Sequence, residues 1–369
     1  MEPRLRRILR LPLIPSSIPS LCNNTMPLLD LPLEVLLLLP SYLDNIESFK
    51  NAASSCRTLR NVFAKTLPST ILRLAAASAP TFFSPHPHFL VAASVRSVSD
   101  WALGHEDRTK LLRDAFRGGI YSLYNFCLEY GGLTLDRIRE THVARFTTIN
   151  PLSDKIDKMA GEQWMSTPDF WDGGVSEPNT LYTDADRAAL QIIIYGELFG
   201  RSMEAYLNPA ERVASFDIIT RQEYFMYCLP DDESPYDPDG AMQFSYYEDQ
   251  RTLRHILKSG RWRRMWAAAI REFLDPEFSD EEAADEDWRN KMLRDALLLQ
   301  GIAGFQLIAC KPGDVPEEAV TKARQVRHRI LALKEPPQSQ TFGKQGTSRV
   351  SEAPDPQNEV NVSYRRQWY

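Results

Sequence analysis

The sequence predicts a mainly α-helical protein: a short three-helix module near the N-terminus, followed by an irregular helical domain. Three observations lead there. Residues 28–77 read as short helices rich in Leu and Ala. Later segments carry helix punctuation, with glycine pairs at Gly118-Gly119 and Gly131-Gly132 and a stop at Asn208-Pro209. The one stretch β-branched enough to pass for a strand is Ile192-Ile193-Ile194-Tyr195. Its surroundings, Leu190, Ile193, Ile194, Glu197 and Leu198, fit the helical period better than a period of two.

Composition permits such a fold. The 369 residues are 43% hydrophobic and 10% aromatic, enough for a large core, and the length suggests about two domains. A formal net charge of -6 gives no global attraction to phosphate backbones or anionic membranes. Five cysteines, Cys22, Cys56, Cys127, Cys228 and Cys310, are far apart, odd in number and without a Cys-x-x-Cys pair, which is the usage of a reducing compartment. The greasiest run, residues 28–39, is shorter than the roughly 20 residues of a membrane span and holds Pro32 and Glu34. The expectation is a protein of the cytoplasm or nucleus without a membrane segment.

Taken in order, residues 1–27 carry Arg4, Arg6, Arg7 and Arg10 and then Pro12, Pro15 and Pro19, which break any transit-peptide helix. They are expected to be a disordered leader, with Met26 as an alternative start of translation. Asp30 is expected to cap a helix opening at Pro32, whose missing N–H suits a first turn. Leu33, Val35, Leu36, Leu37, Leu38 and Leu39 make that helix apolar all round, so every side of it needs cover. Pro40 removes the N–H that would bond to the Leu36 carbonyl, so the helix must end early or kink. A second helix is expected from Asp44, with Glu47 in capping-box position, through Ile46, Phe49, Ala52 and Ala53. A third holds Cys56, Leu59, Val62 and Phe63. Three helices this short cannot cover all those leucines, so something else must cover the first.

Beyond the module, Pro80 and residues 84–88 read as a connection, residues 109–130 as a helical pair, and residues 135–148 as a helix stopped by Asn150-Pro151. Residues 169–174 read as a loop with aromatic anchors, and Thr183 with Asp186 as the start of the longest helix. Residues 230–240 read as an acidic loop, 252–274 as one basic aromatic helix, and 288–300 and 317–333 as further helices. After Lys334 the composition turns to Pro, Gln, Ser and Asn, too apolar-poor to offset its ordering entropy. The expected division is a leader at 1–27, the module at 28–67, a helical domain at 68–334 and a disordered tail at 335–369.

Three pieces of the module stand in a known order: Leu31-Pro32-Leu33-Glu34, the leucine-rich run 35–43, and Cys56-Arg57-Thr58-Leu59. Together they resemble the F-box, and the chain in general resembles fungal-type F-box proteins; the match covers about a tenth of the residues. The resemblance implies a substrate-recognition subunit of a cullin-RING (SCF-type) ubiquitin ligase. The module would bind the Skp-type adaptor through Leu31, Pro32, Glu34, Val35, Leu36, Leu39, Leu43, Phe49, Cys56 and Leu59, and the following domain would hold an unknown protein target. It implies no catalytic residue, cofactor or metal.

Candidates for chemistry are isolated residues. The sequence has no Gly-x-x-x-x-Gly-Lys loop, His-Glu-x-x-His helix or Gly-x-Ser-x-Gly elbow. His86, His88, His105, His142, His255 and His328 are scattered and are expected to be surface or half-buried. Asp237-Pro238-Asp239-Gly240 fails as a calcium loop, because aligning Gly240 with the invariant glycine puts Pro235 and Tyr246 at ligand positions. One alternative is a helical interaction module without a ligase. Another is a single-stranded nucleic-acid binder using Arg251, Arg254, Lys258, Arg261, Arg263, Arg264 and Arg271 with Trp262 and Trp266. The acidic residues between Asp280 and Asp287 follow directly and can neutralise that stretch.

Overall fold

A computed structural model describes residues 28–79, 83–165, 185–211, 213–229, 248–278, 287–342 and 348–366. Helices α1 (Leu33–Leu36), α2 (Ile46–Ser55) and α3 (Arg57–Phe63) form the N-terminal module, and α4 (Pro68–Ala76) leads out of it. The domain continues through α5 (His88–Ala102), α6 (Glu106–Arg117), α7 (Gly119–Tyr130), α8 (Leu135–Ala144), α9 (Asn150–Met165) and α10 (Ala185–Leu207). Helices α11 (Ile218–Tyr227), α12 (Glu248–Lys258), α13 (Gly260–Phe273), α14 (Trp288–Leu298), α15 (Ile302–Ala309) and α16 (Glu317–Ala332) follow. An antiparallel hairpin of β1 (Ser339–Phe342) and β2 (Ser348–Ser351) then leads to α17 (Pro356–Arg366). The fold is mainly α, as expected.

Helix α10 is the axis of the domain. Every residue from Ala188 to Gly200 is buried, as a helix apolar all round requires. Helix α5 lies along it, and the Ser99 hydroxyl donates to the Leu198 carbonyl at 2.6 Å. Gly196 and Gly200 admit the turn after α14: a Cβ at either would stand 2.8 Å from the Leu298 carbonyl oxygen or 2.5 Å from that of Leu299. Between them, Glu197 turns its carboxylate inward to Arg96 at 2.5 Å, Arg137 at 3.1 Å and the Ile302 N–H at 3.4 Å. A buried carboxylate held this way is not left without partners.

Several expectations are corrected. Asn150-Pro151 does not stop a helix, because residues 145–149 form a π-turn that carries α8 into α9. Pro151 then falls in a first turn, where its missing N–H costs little, and the Thr147 carbonyl accepts the Cys310 thiol instead, at 3.1 Å. The segment 252–274 is two helices, broken at Ser259, whose hydroxyl accepts the Trp262 N–H and caps α13. Trp262 and Trp266 are buried beside Phe305. They offer no face for base stacking, and the nucleic-acid alternative loses its aromatic half. His88 opens α5 in the interior, where burial first, with Arg187 and His86 adding to it, pushes its pKa down to about 3.

The largest correction concerns 335–369. Counting apolar residues predicted disorder, yet Val350, Val360 and Val362 all point inward. The polar residues of the segment are paired: Glu359 binds Arg221 at 2.8 Å and Tyr195 at 2.5 Å, and Asp355 binds Lys291 at 2.5 Å. Helix α17 packs on α11 and α12, so the segment belongs to the domain. The boundary at 67 also moves, since α4 gives Leu74 to the module's core and Leu72 and Ala75 to the domain's. The leader 1–27, the loops 169–174 and 230–240, Thr183 and the acidic residues 280–286 lie outside the described residues. Among the described residues, no single helix is long and apolar enough to cross a membrane.

Candidate docking surface

The first helix of the module is shortened from both ends. Pro32 itself is the N-cap, its carbonyl accepting the N–H groups of Val35 at 3.0 Å and Leu36 at 3.1 Å, while no side chain caps the start, so Asp30 does not play that part. After Leu36 the chain tightens into a turn and then into a 3-10 helix over Leu39–Tyr42, with Pro40 at its start. The proline therefore ends α1, as its missing N–H requires.

The second helix is capped within one residue of expectation, and the third has a cap that was not expected. Asn45, not Asp44, caps α2, its side-chain oxygen accepting the Ser48 N–H at 2.8 Å. Cys56 caps α3, with its sulfur 3.5 Å from the Leu59 N–H. The Cys-Arg-x-Leu sequence is thus a cap, a first turn and a buried anchor. Arg73 on α4 reaches back to the module. Its Nη2 donates to the carbonyls of Ser41 at 3.0 Å, Leu43 at 3.3 Å and Pro40 at 3.4 Å. One guanidinium satisfies the exposed end of the 3-10 turn and sets its position.

The module has a small core of its own: Leu36, Phe49, Leu59, Val62, Phe63 and Leu74, with the Phe49 and Phe63 rings 4.8 Å apart. Leu36, Phe49 and Leu59, expected as contact residues, are buried inside the module's own core, where they support the surface rather than form its exposed part. Leu31, Leu39, Leu43 and Cys56 are half-buried at its margin. Pro32, Glu34 and Val35 are exposed.

Sequence reading missed the most exposed part of the surface. Only Leu36 of α1 turns inward, so Leu33, Leu37 and Leu38 are left outside at 48%, 38% and 54% exposure, and Leu28, Leu29 and Tyr42 flank them. Among the described residues, seven of the sixteen exposed large apolar side chains lie within residues 28–42. Such a concentration makes this face a candidate interaction surface, where scattered single residues would not. The only sequence signal was the excess of leucine; nothing in it said which leucine faced in.

What the arrangement offers is apolar surface for binding. Among the described residues, no three His, Cys, Asp or Glu side chains come together as a metal site. Burying a leucine fully is worth roughly 1.5–3 kcal/mol. Seven half-exposed side chains then offer on the order of 5–10 kcal/mol, comparable to the ~4–15 kcal/mol lost on association. A complex here rests on a few anchors, and one misplaced charge can break it. Searches against family models, curated proteins and solved structures return no match to this chain.

Proposed function

We propose that the chain is an F-box-type substrate-recognition subunit of a cullin-RING ubiquitin ligase, docking on the Skp-type adaptor through the surface of residues 28–42 and holding a protein target through its helical domain. One observation carries the reading: a module with its own filled core still turns Leu33, Leu37 and Leu38 outward. A helical hairpin serving only its own domain would turn that face in. The motif residues support it locally, Pro32 opening α1 and Cys56 capping α3. Adaptor contacts are assigned to Leu33, Leu37, Leu38 and Tyr42 alongside the exposed Pro32, Glu34 and Val35.

The test is a pull-down with purified Skp-type adaptor. Leu33→Asp combined with Leu38→Asp should abolish capture while leaving the circular dichroism melt unchanged, because both carboxylates stay in water until a partner covers them. Leu36→Ala should do the reverse in kind, lowering module stability by roughly 2–5 kcal/mol through a cavity. Full capture of the double aspartate variant sinks the proposal, as does absence of capture by the wild type, which would leave a helical interaction module without a ligase.

A further inference from the structure

A groove of about 670 Å³ runs between α2 and α8. That is within the size range of small-ligand and peptide-anchor sites, roughly 300–1,000 Å³. Ile46 from α2 and Leu135 and Ile138 from α8 give it an apolar floor, and His142, packed on the Phe83 ring at 5.2 Å, forms a wall. None of its lining residues belongs to the docking surface of residues 28–42.

The rim has the opposite sign to the rest of the protein. Lys50, Arg60 and Arg139 line the groove against the single carboxylate of Glu47, a local excess of two positive charges in a chain of net charge -6. Lys50 and Arg60 are exposed and make no ion pair among the described residues. Among the described residues Arg139 pairs only with Asp136, at 3.5 Å with both side chains in water, a pairing too weak to hold it back from a partner. Interfaces are selected by such complementarity of charge around an apolar centre.

We infer that this groove binds an acidic peptide segment carrying a bulky aliphatic or aromatic side chain, the side chain seated over Ile46 and Ile138 and the acids against Lys50, Arg60 and Arg139. That such a segment belongs to a ubiquitination target rests on the ligase reading; the peptide chemistry does not. Helix α2 contributes to the groove on one face and to the module's core on another, so a bound segment is held next to the docking surface with no linker between them.

The experiment pans a random 12-residue peptide display library against the immobilised full chain and measures the selected peptides by fluorescence polarisation. Enriched peptides should be net negative with at least one Leu, Ile, Phe or Trp. Lys50→Glu with Arg60→Glu, both in water and harmless to the fold, should weaken them at least about tenfold, and raised salt should weaken them in the wild type. Arg139→Glu is a second variant of the same kind, and Leu38→Asp should leave binding unchanged. Absence of enrichment, enrichment of neutral or basic peptides, or indifference to the charge reversals overturns the proposal. So does wild-type self-association that the reversals abolish, which would make the groove a contact between copies. The adaptor pull-down on the same proteins separates the two readings: peptide binding without adaptor capture removes the ligase alone, and capture without selective peptides removes the groove alone.

Discussion

Glu359→Gln keeps the size of the side chain and removes its charge. In the wild type the carboxylate lies fully buried, 2.8 Å from Arg221 Nε and 2.5 Å from the Tyr195 hydroxyl, with the Asp355 N–H at 3.4 Å. Arg221 cannot follow a lost partner into water, because its remaining N–H groups are held by the carbonyls of Phe216 at 3.2 Å, Ser351 at 3.0 Å and Glu352 at 3.3 Å. An uncompensated guanidinium stays inside, and breaking a buried pair from one side costs about 3–5 kcal/mol. That is a large share of a typical stability of roughly 5–15 kcal/mol. The assay is urea unfolding followed by circular dichroism and tryptophan fluorescence, with hydrogen exchange read over residues 356–366. The double variant Arg221→Met with Glu359→Met removes both charges and should cost less than the two single changes summed, giving a coupling of about 2–3 kcal/mol. A loss below about 1 kcal/mol for Glu359→Gln, the range of an exposed pair, with no coupling in the cycle would refute the reasoning. It would also return residues 335–369 to the disordered tail that composition predicts.

Three further outcomes are expected. Arg73→Ala should release three carbonyls of the 3-10 turn, costing about 1–2 kcal/mol, speeding amide exchange over residues 39–43 and weakening adaptor capture; unchanged exchange there would deny the arginine its positioning role. Gly304→Ala should lower the melting temperature markedly, since a Cβ would fall 1.8 Å from the backbone oxygen of Leu297 and α15 must move off α14 beside the buried Phe305. His88 should make the protein acid-sensitive. Its folded pKa is depressed to about 3 from 6.5, so the unfolded chain binds the extra proton, and stability present above pH 6.5 is lost as pH falls from there towards 3. His88→Leu should flatten that part of the stability profile, measured as urea midpoint against pH.

Helices with strong punctuation were readable from the sequence because local chemistry decides them. Gly118-Gly119 and Gly131-Gly132 separate and end the helical pair where expected, and α10 is a helix despite three consecutive isoleucines. Elements decided by partners distant in sequence were not readable. Nothing near Glu359 announces that Arg221 and Tyr195, 138 and 164 residues away, will pair with it, so a polar segment reads as a solvated one. The same blindness placed Trp262 and Trp266 with the arginines around them, although their side chains belong to the core against Phe305. For the proposed docking surface, the sequence shows the run of leucines but not which of them face outward. Leu36 points inward because Phe49 and Leu74 meet it there, and those residues come from α2 and α4.

That dependence on α4 explains how the two parts of the molecule work as one. Leu74 closes the module's core from beneath, while Leu72 and Ala75, on the other side of the same helix, are fully buried in the domain. Ile46 of α2 packs against both cores. A hinge needs a segment whose rotation leaves buried contacts intact, and turning α4 or α2 would empty one core or the other. The docking surface is therefore fixed relative to the domain, and the Arg73 fork extends that fixity to the exposed turn at residues 40–43. On the proposed reading as a recognition subunit, this rigidity would determine where a bound target stands relative to the adaptor. That geometry is set by packing inside the chain, before either partner arrives.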